Sequence, residues 1–178
     1  MSDITLGIIG GGQLGSMLAI AAKKLNIKTV VFCDDVAAPA QNICSKFIYG
    51  AYSDREKILE FIQQVDIVTF EFENIPYETL DEINKSKSVL PKPSVNRLIQ
   101  HRLAEKDFVN KLNIRTTRYV SIEKKSDIES LEDFLPGILK TTTLGYDGKG
   151  QHPIKSIEDL NLLNIDFSKG YILEKLVK

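Results

Sequence analysis

A short apolar run, Thr5-Leu-Gly-Ile-Ile9, ends in glycines and suits a buried parallel strand. Behind it, Leu14, Met17, Leu18, Ala21, Ala22 and Leu25 recur at helical spacing over residues 13–25. Lys28–Cys33 (KTVVFC) is β-rich and reads as a second strand. Strand, glycine turn, helix and strand in that order make a right-handed βαβ unit. The pattern continues with a helix over 54–64, a strand over 66–72 (DIVTFEF), a helix over 77–84 and a short strand over 88–90. Such alternation predicts an α/β architecture, an open and mostly parallel sheet covered by helices.

Pro91-Lys-Pro93-Ser94 interrupts that alternation. The prolines force extended geometry on their neighbours, and Ser94 can cap a following helix. A domain boundary is placed near residue 97, giving domains 1–97 and 98–178. Beyond it the spacing predicts a helix over 97–112, an extended stretch over 118–121 and a helix over 127–134. Strands follow over 137–141 (GILKT) and 151–154, a helix over 157–163, and a strand over 171–177. This second half reads as α+β with antiparallel pairing. No internal repeat or low-complexity tract is visible.

Composition narrows the classes without choosing among them. The 178 residues carry 23 Lys+Arg against 24 Asp+Glu, a formal net charge of -1. A nucleic-acid binder needs a clear cationic excess, so that class is excluded as the default. Hydrophobic residues at 43% and charged residues at 26% are globular rather than disordered values. Residues 4–22 are apolar, but five glycines and Gln13 break the run, and no basic segment precedes it. Neither a signal peptide nor a membrane span of about 20 apolar residues is expected, and the chain reads as cytoplasmic. Cys33 and Cys44 cannot build a disulfide framework and read as small residues in a reducing compartment. His101 and His152 have no partner at metal-ligand spacing.

Four segments could carry chemistry. Gly10-Gly-Gly-Gln13-Leu14-Gly15 satisfies G-x-G-x-x-G between strand and helix, where amide groups can hold a phosphate, and Asp34 and Asp35 follow at about the spacing of a ribose-binding acid. On this motif alone a dinucleotide site, another ligand site and a plain tight turn stay open. In Thr69-Phe-Glu71-Phe-Glu73-Asn74, strand alternation would put Glu71 and Glu73 on one side at the carboxyl end of the sheet, where open α/β folds take ligands; a solvated strand end is the alternative. Lys140 at a strand end, followed by Gly145-Tyr146-Asp147-Gly148-Lys149-Gly150-Gln151, offers a fixed cation and a glycine-rich flap for phosphates. That loop lacks the Ser/Thr of a Walker P-loop, and a surface hairpin would also use Asp147-Gly148. Tyr171-Ile-Leu-Glu174-Lys175-Leu176-Val177 could serve as an adenine hinge, or be a plain strand with Glu174 exposed.

Together, and in this order, these segments resemble the ATP-grasp ligases of purine biosynthesis, within them the 5-(carboxyamino)imidazole ribonucleotide synthases. Ala38-Pro-Ala40 and His101-Arg102-Leu-Ala-Glu-Lys106 extend the likeness over the whole chain. Gly-Tyr-Asp-Gly-Lys-Gly-Gln favours this group over the formate-dependent glycinamide ribonucleotide transformylases and biotin carboxylases.

The resemblance implies a Rossmann-like preATP-grasp domain followed by the first α+β lobe of an ATP-grasp domain. It implies an ATP-dependent carbon–nitrogen ligase that activates bicarbonate as carboxyphosphate and carboxylates the amino group of 5-aminoimidazole ribonucleotide. Gln13, Leu14 and Glu73 would contact the ribonucleotide. Arg102 and Lys140 would face the ATP phosphates, residues Gly145 to Gln151 would form a lid, and Glu174, Lys175, Leu176 and Val177 the adenine hinge. A lid suits this chemistry, because carboxyphosphate must be shielded from water.

Family magnesium ligands and substrate-phosphate cations belong to a C-terminal part not found in these residues. The resemblance therefore implies that Mg2+ is a cofactor held elsewhere, that the 178 residues alone are inactive, and that a homodimer is possible. Four positions depart from the family pattern: Ser16 stands in place of arginine, Thr142 and Thr143 in place of basic residues, and Leu144 in place of a glycine, which should stiffen the start of the lid. The competing functions are an NAD(P)-dependent oxidoreductase and a non-catalytic chain that binds a ribonucleotide or a partner.

Overall fold

A computed structural model describes residues 4–145 and 150–177. Contacts within the chain divide it into two units, Met1–Arg97 and Leu98–Lys178.

In the first unit, β1 (Thr5–Ile9), β2 (Lys28–Cys33), β3 (Lys46–Tyr49) and β4 (Ile67–Phe70) form one sheet in the order β3-β2-β1-β4. Every pairing in it is parallel. Val89 adds an isolated parallel bridge to Val68, so the strand expected over 88–90 shrinks to one residue pair. Helices α1 (Gln13–Lys24), α2 (Arg55–Ile62), α3 (Tyr77–Asn84) and α4 (Pro93–Ile99) accompany it. Asp54 caps α2 by accepting the amides of Glu56 and Lys57. Helix α4 starts at Pro93, one residue ahead of the serine expected to cap it.

The sheet is buried on both faces. Ile9, Phe32, Phe61, Val68, Leu80 and Ile83 lie in one cluster, and Ile8, Ala19, Val31 and Ala40 in another. Two-sided burial is why the central strands read as continuous apolar runs rather than as alternation.

Helix α1 departs from the pattern that announces it. Its buried residues are Gly15, Ser16, Ala19 and Ala22, whereas Leu14, Met17, Leu18 and Leu25 are exposed. The glycine turn brings the helix so close to β1 that only small side chains fit beneath it.

In the second unit, β5 (Tyr119–Ile122), β6 (Gly137–Thr141), β7 (Gln151–Ile154) and β8 (Tyr171–Lys175) form an antiparallel sheet in the order β5-β8-β6-β7. One face packs Ile122, Leu139, Ile154, Tyr171 and Leu173 with Leu131 and with Leu160 of α6 (Ile157–Leu162). The helix expected over 97–112 is two helices, α4 and α5 (Arg102–Lys111), broken where His101 takes an extended conformation and caps α5 through Nδ1. The helix expected over 127–134 is a pair of 3-10 turns, Lys125–Ser130 and Glu132–Phe134. Tyr171–Lys175 ends before Leu176 and Val177, which are exposed.

No helix among the described residues is long and apolar enough to cross a membrane.

Candidate functional site

The first unit opens a cleft of about 270 Å³ at the carboxyl ends of β1, β2 and β4, lined by Gly10–Gly12, Cys33–Asp35, Ala38, Tyr52, Glu71 and Phe72. Open parallel sheets offer ligands such a crevice because adjacent connections diverge there. Gly10 adopts φ +99°, a conformation that side chains disfavour, and turns the chain from β1 into α1. No side chain of its own sequence caps α1, which starts after Gly12.

The carboxylate of Glu71 fills that place. A β-carbon on Gly10, Gly12 or Gly15 would stand 2.8, 3.4 or 3.5 Å from Glu71 Oε1. The backbone amides of Gly12 and Gly15 favour the charged form of this carboxylate. Burial pushes the Glu71 carboxyl above its ordinary value, the two amides pull against that, and the charge of Glu73 adds to the rise. The position where a dinucleotide fingerprint seats a pyrophosphate is thus held by the protein's own anion.

The alternation expected across Glu71 and Glu73 is absent, because β4 ends at Phe70 and the chain leaves the sheet. Glu71 turns into the glycine turn, and Glu73 is exposed. Gln13 and Leu14, which follow the lining residue Gly12, are exposed on the first turn of α1. Sequence reasoning missed Tyr52, whose hydroxyl donates to Cys33 Sγ at 3.7 Å while its carbonyl accepts Thr79 Oγ1 at 2.7 Å. Tyr52 belongs to no motif. Its only signal is an aromatic residue between a strand and a capped helix.

The second candidate lies on the face of the antiparallel sheet opposite its apolar core. Strand alternation puts Tyr119, Lys140, Gln151 and Glu174 on that face, with Lys140 and Gln151 directly paired. Ile138 pairs with Glu174, so Lys140 is the diagonal neighbour of the acid. Its ammonium donates to Glu174 Oε2 at 2.8 Å, and Lys106 of α5 reaches Oε1 at 3.2 Å. Glu174 is buried at 8% exposure, which removes the alternative of a plain strand with a solvated acid. Burial would raise its carboxyl, but the two ammonium groups outweigh it and hold the group below its ordinary range.

Arg102 does not extend freely toward this face. Its guanidinium donates to the carbonyls of Thr141, at 2.8 Å, and Gly145, and its amide donates to Thr142 O at 2.8 Å. Arg102 therefore ties the start of α5 to the stretch following β6. Leu144 on this stretch adopts φ +57°. Gly150 closes the loop on the other side, its carbonyl accepting the amide of Thr141 at 3.1 Å. Tyr146, Asp147, Gly148 and Lys149 lie outside the described residues.

Among the described residues, no group of three or more His, Cys, Asp or Glu side chains assembles that could hold a metal ion. The donor set for magnesium is not met here, and no step is assigned to a metal through these residues.

Residues 3–100 match the ribonucleotide synthetase preATP-grasp domain, and residues 107–178 the ATP-grasp domain. The N5-carboxyaminoimidazole ribonucleotide synthase of Brucella melitensis is 36% identical over 162 residues, 90% of this chain and 45% of the relative. That of Aquifex aeolicus is 35% identical over 98% of this chain and 47% of its own length. The structure of N5-carboxyaminoimidazole synthetase from Staphylococcus aureus complexed with ADP superposes with a TM-score of 0.91 at 32% identity, covering 98% of this chain and 48% of that one. The chain spans just under half the length of these relatives.

Proposed function

Because the chain belongs to the ribonucleotide synthetase preATP-grasp family through residues 3–100 and continues into ATP-grasp sequence, we propose that it serves the ATP- and bicarbonate-dependent carboxylation of 5-aminoimidazole ribonucleotide to its N5-carboxyamino product, in cytoplasmic purine biosynthesis. The observation that carries this reading is the succession of the two matched domains along one chain, in the same order and fold as the ADP-bound Staphylococcus aureus enzyme.

The first unit receives the ribonucleotide, with Gln13, Leu14 and Glu73 around the cleft. Glu71 disfavours the oxidoreductase alternative, since a dinucleotide phosphate would meet a carboxylate at the glycine turn. The second unit receives ATP. Lys140 faces its phosphates, Arg102 supports them from the root of the lid, residues Gly145 to Gln151 close over them, and Glu174 to Val177 form the adenine hinge. In the reaction a bicarbonate oxygen attacks the γ-phosphorus and ADP leaves. The substrate amine then attacks the carbonyl carbon of carboxyphosphate, loses a proton and expels phosphate. Positioning and charge stabilisation are the contributions expected of these residues in phosphoryl transfer. Magnesium and a homodimeric assembly belong to the same proposal.

A ligand that binds only the folded state raises its melting temperature. Melting with ATP and magnesium, with 5-aminoimidazole ribonucleotide and with NADH tests the reading. The first two are expected to raise the midpoint and the third to leave it unchanged. A shift with NADH alone would overturn the proposal.

A further inference from the structure

Helix α5 has no buried residue, yet it lies against the polar face of the second sheet. Polar contacts hold it there. Tyr119 donates to Asp107 at 2.7 Å and accepts from Asn110 at 3.0 Å, and Lys106 lies 5.3 Å from the centre of the Tyr119 ring. At the centre is Glu174, with one oxygen on Lys106 and the other on Lys140. The side chains of the three charged residues are only 16%, 19% and 11% exposed for Lys106, Lys140 and Glu174.

Two ammonium groups on one carboxylate leave one surplus positive charge. Were Glu174 to face Lys140 alone, it would neutralise that cation and could follow it through several rotamers. Lys106 takes the second oxygen, fixes the plane of the carboxylate, and offsets the charge that Glu174 withdraws from Lys140. Lys140 then keeps donors and net charge for an anion.

We propose that Lys106 is a positioning residue of the nucleotide site, acting through Glu174 to hold Lys140 in the geometry that receives the ATP phosphates. This inference rests on the ATP reading given above. Lys106 does not touch the nucleotide in it.

A double-mutant cycle separates action through Glu174 from direct contact, because residues sharing one network are not additive. ATP affinity in the presence of magnesium is measured by calorimetry for the unaltered protein, K106M, E174Q and K106M/E174Q. K106M is expected to weaken binding about tenfold, within the coupling range of charged neighbours, and K106R to restore most of it. In the E174Q background the K106M change is expected to cost less than about twofold. Should K106M lose its cooperative melt, K106Q supplies the same comparison. Equal losses in both backgrounds, or no loss from K106M, would overturn the inference while leaving the ATP reading intact. No ATP binding by the unaltered protein would overturn the ATP reading, and the role of Lys106 with it.

Discussion

A β-carbon on Gly15 would stand 2.5 Å from the carbonyl oxygen of Gly10. The neighbour is backbone at the end of β1, so it cannot swing aside. Alanine is the better helix former by about 1 kcal/mol, but forcing a methyl group into a packed interior typically costs about 1–3 kcal/mol and here moves the helix off the sheet. Gly15→Ala is expected to lower stability by up to about 2 kcal/mol net. Urea unfolding would show a lower midpoint at unchanged slope. A higher midpoint would mean that the close approach does not constrain the helix.

Glu71 gives the first unit an unusual acid dependence. Its carboxyl lies above the ordinary range in the folded state, chiefly through burial. A raised acid contributes stability that is present below the unfolded value and lost as pH rises through the folded one. Glu71→Gln keeps an acceptor for the glycine amides without the buried charge. The variant is expected to be more stable than the parent at pH 7, with the advantage fading toward pH 4. Denaturant titrations at those two pH values check this, and a variant less stable at pH 7 would contradict it.

The strand ends show how far the chain could be read before folding. The buried strands were legible because two-sided burial writes continuous apolar runs, as in β1 and β2. β3 was not, because Lys46 and Tyr49 on this edge strand are exposed and only Ile48 is fully buried. Glu71 was misread for a related reason: alternation holds only while the strand lasts, and β4 stops one residue earlier. The Lys140–Glu174 pair was half legible. Each residue stood out in its own strand, but the diagonal that joins them depends on a register set by residues more than thirty positions apart. Lys106 entered the reading only as part of a motif, since nothing in a helix sequence announces which sheet residue it will reach.

Lys140→Met leaves Glu174 with one cation. The Glu174 carboxyl would rise under burial alone, and the lysines hold it down. A depressed acid contributes stability above its unfolded value that is lost as pH falls through the folded value. Lys140→Met is expected to cost about 1–3 kcal/mol at pH 7, typical of losing a hydrogen bond to a charged group, and much less at pH 3. Equal losses at both pH values, measured by urea unfolding, would mean that Lys140 contributes by packing alone.

Leu144 holds a left-handed conformation that suits glycine. Leu144→Gly relieves about 1 kcal/mol of backbone strain but frees the unfolded chain by a similar amount. Global stability is expected to stay within about 0.5 kcal/mol. Amide hydrogen exchange at Thr142, Thr143 and Gly145 is expected to quicken, because glycine widens the conformations open to this stretch. Unchanged exchange there would show that Leu144 does not stiffen it.

The strand order of the second sheet also sets an order of events during synthesis. β8 is the last of its strands to leave the ribosome, yet it lies between β5 and β6 and pairs with both. β6 and β7 can zip as neighbours in sequence, while β5 waits with an open edge for a partner about fifty residues downstream. The parallel sheet of the first unit has all its strands in hand long before then. Glu174 thus arrives with the strand that joins β5 to β6, so the charge cluster it shares with Lys106 and Lys140 can form only after those two strands have been made.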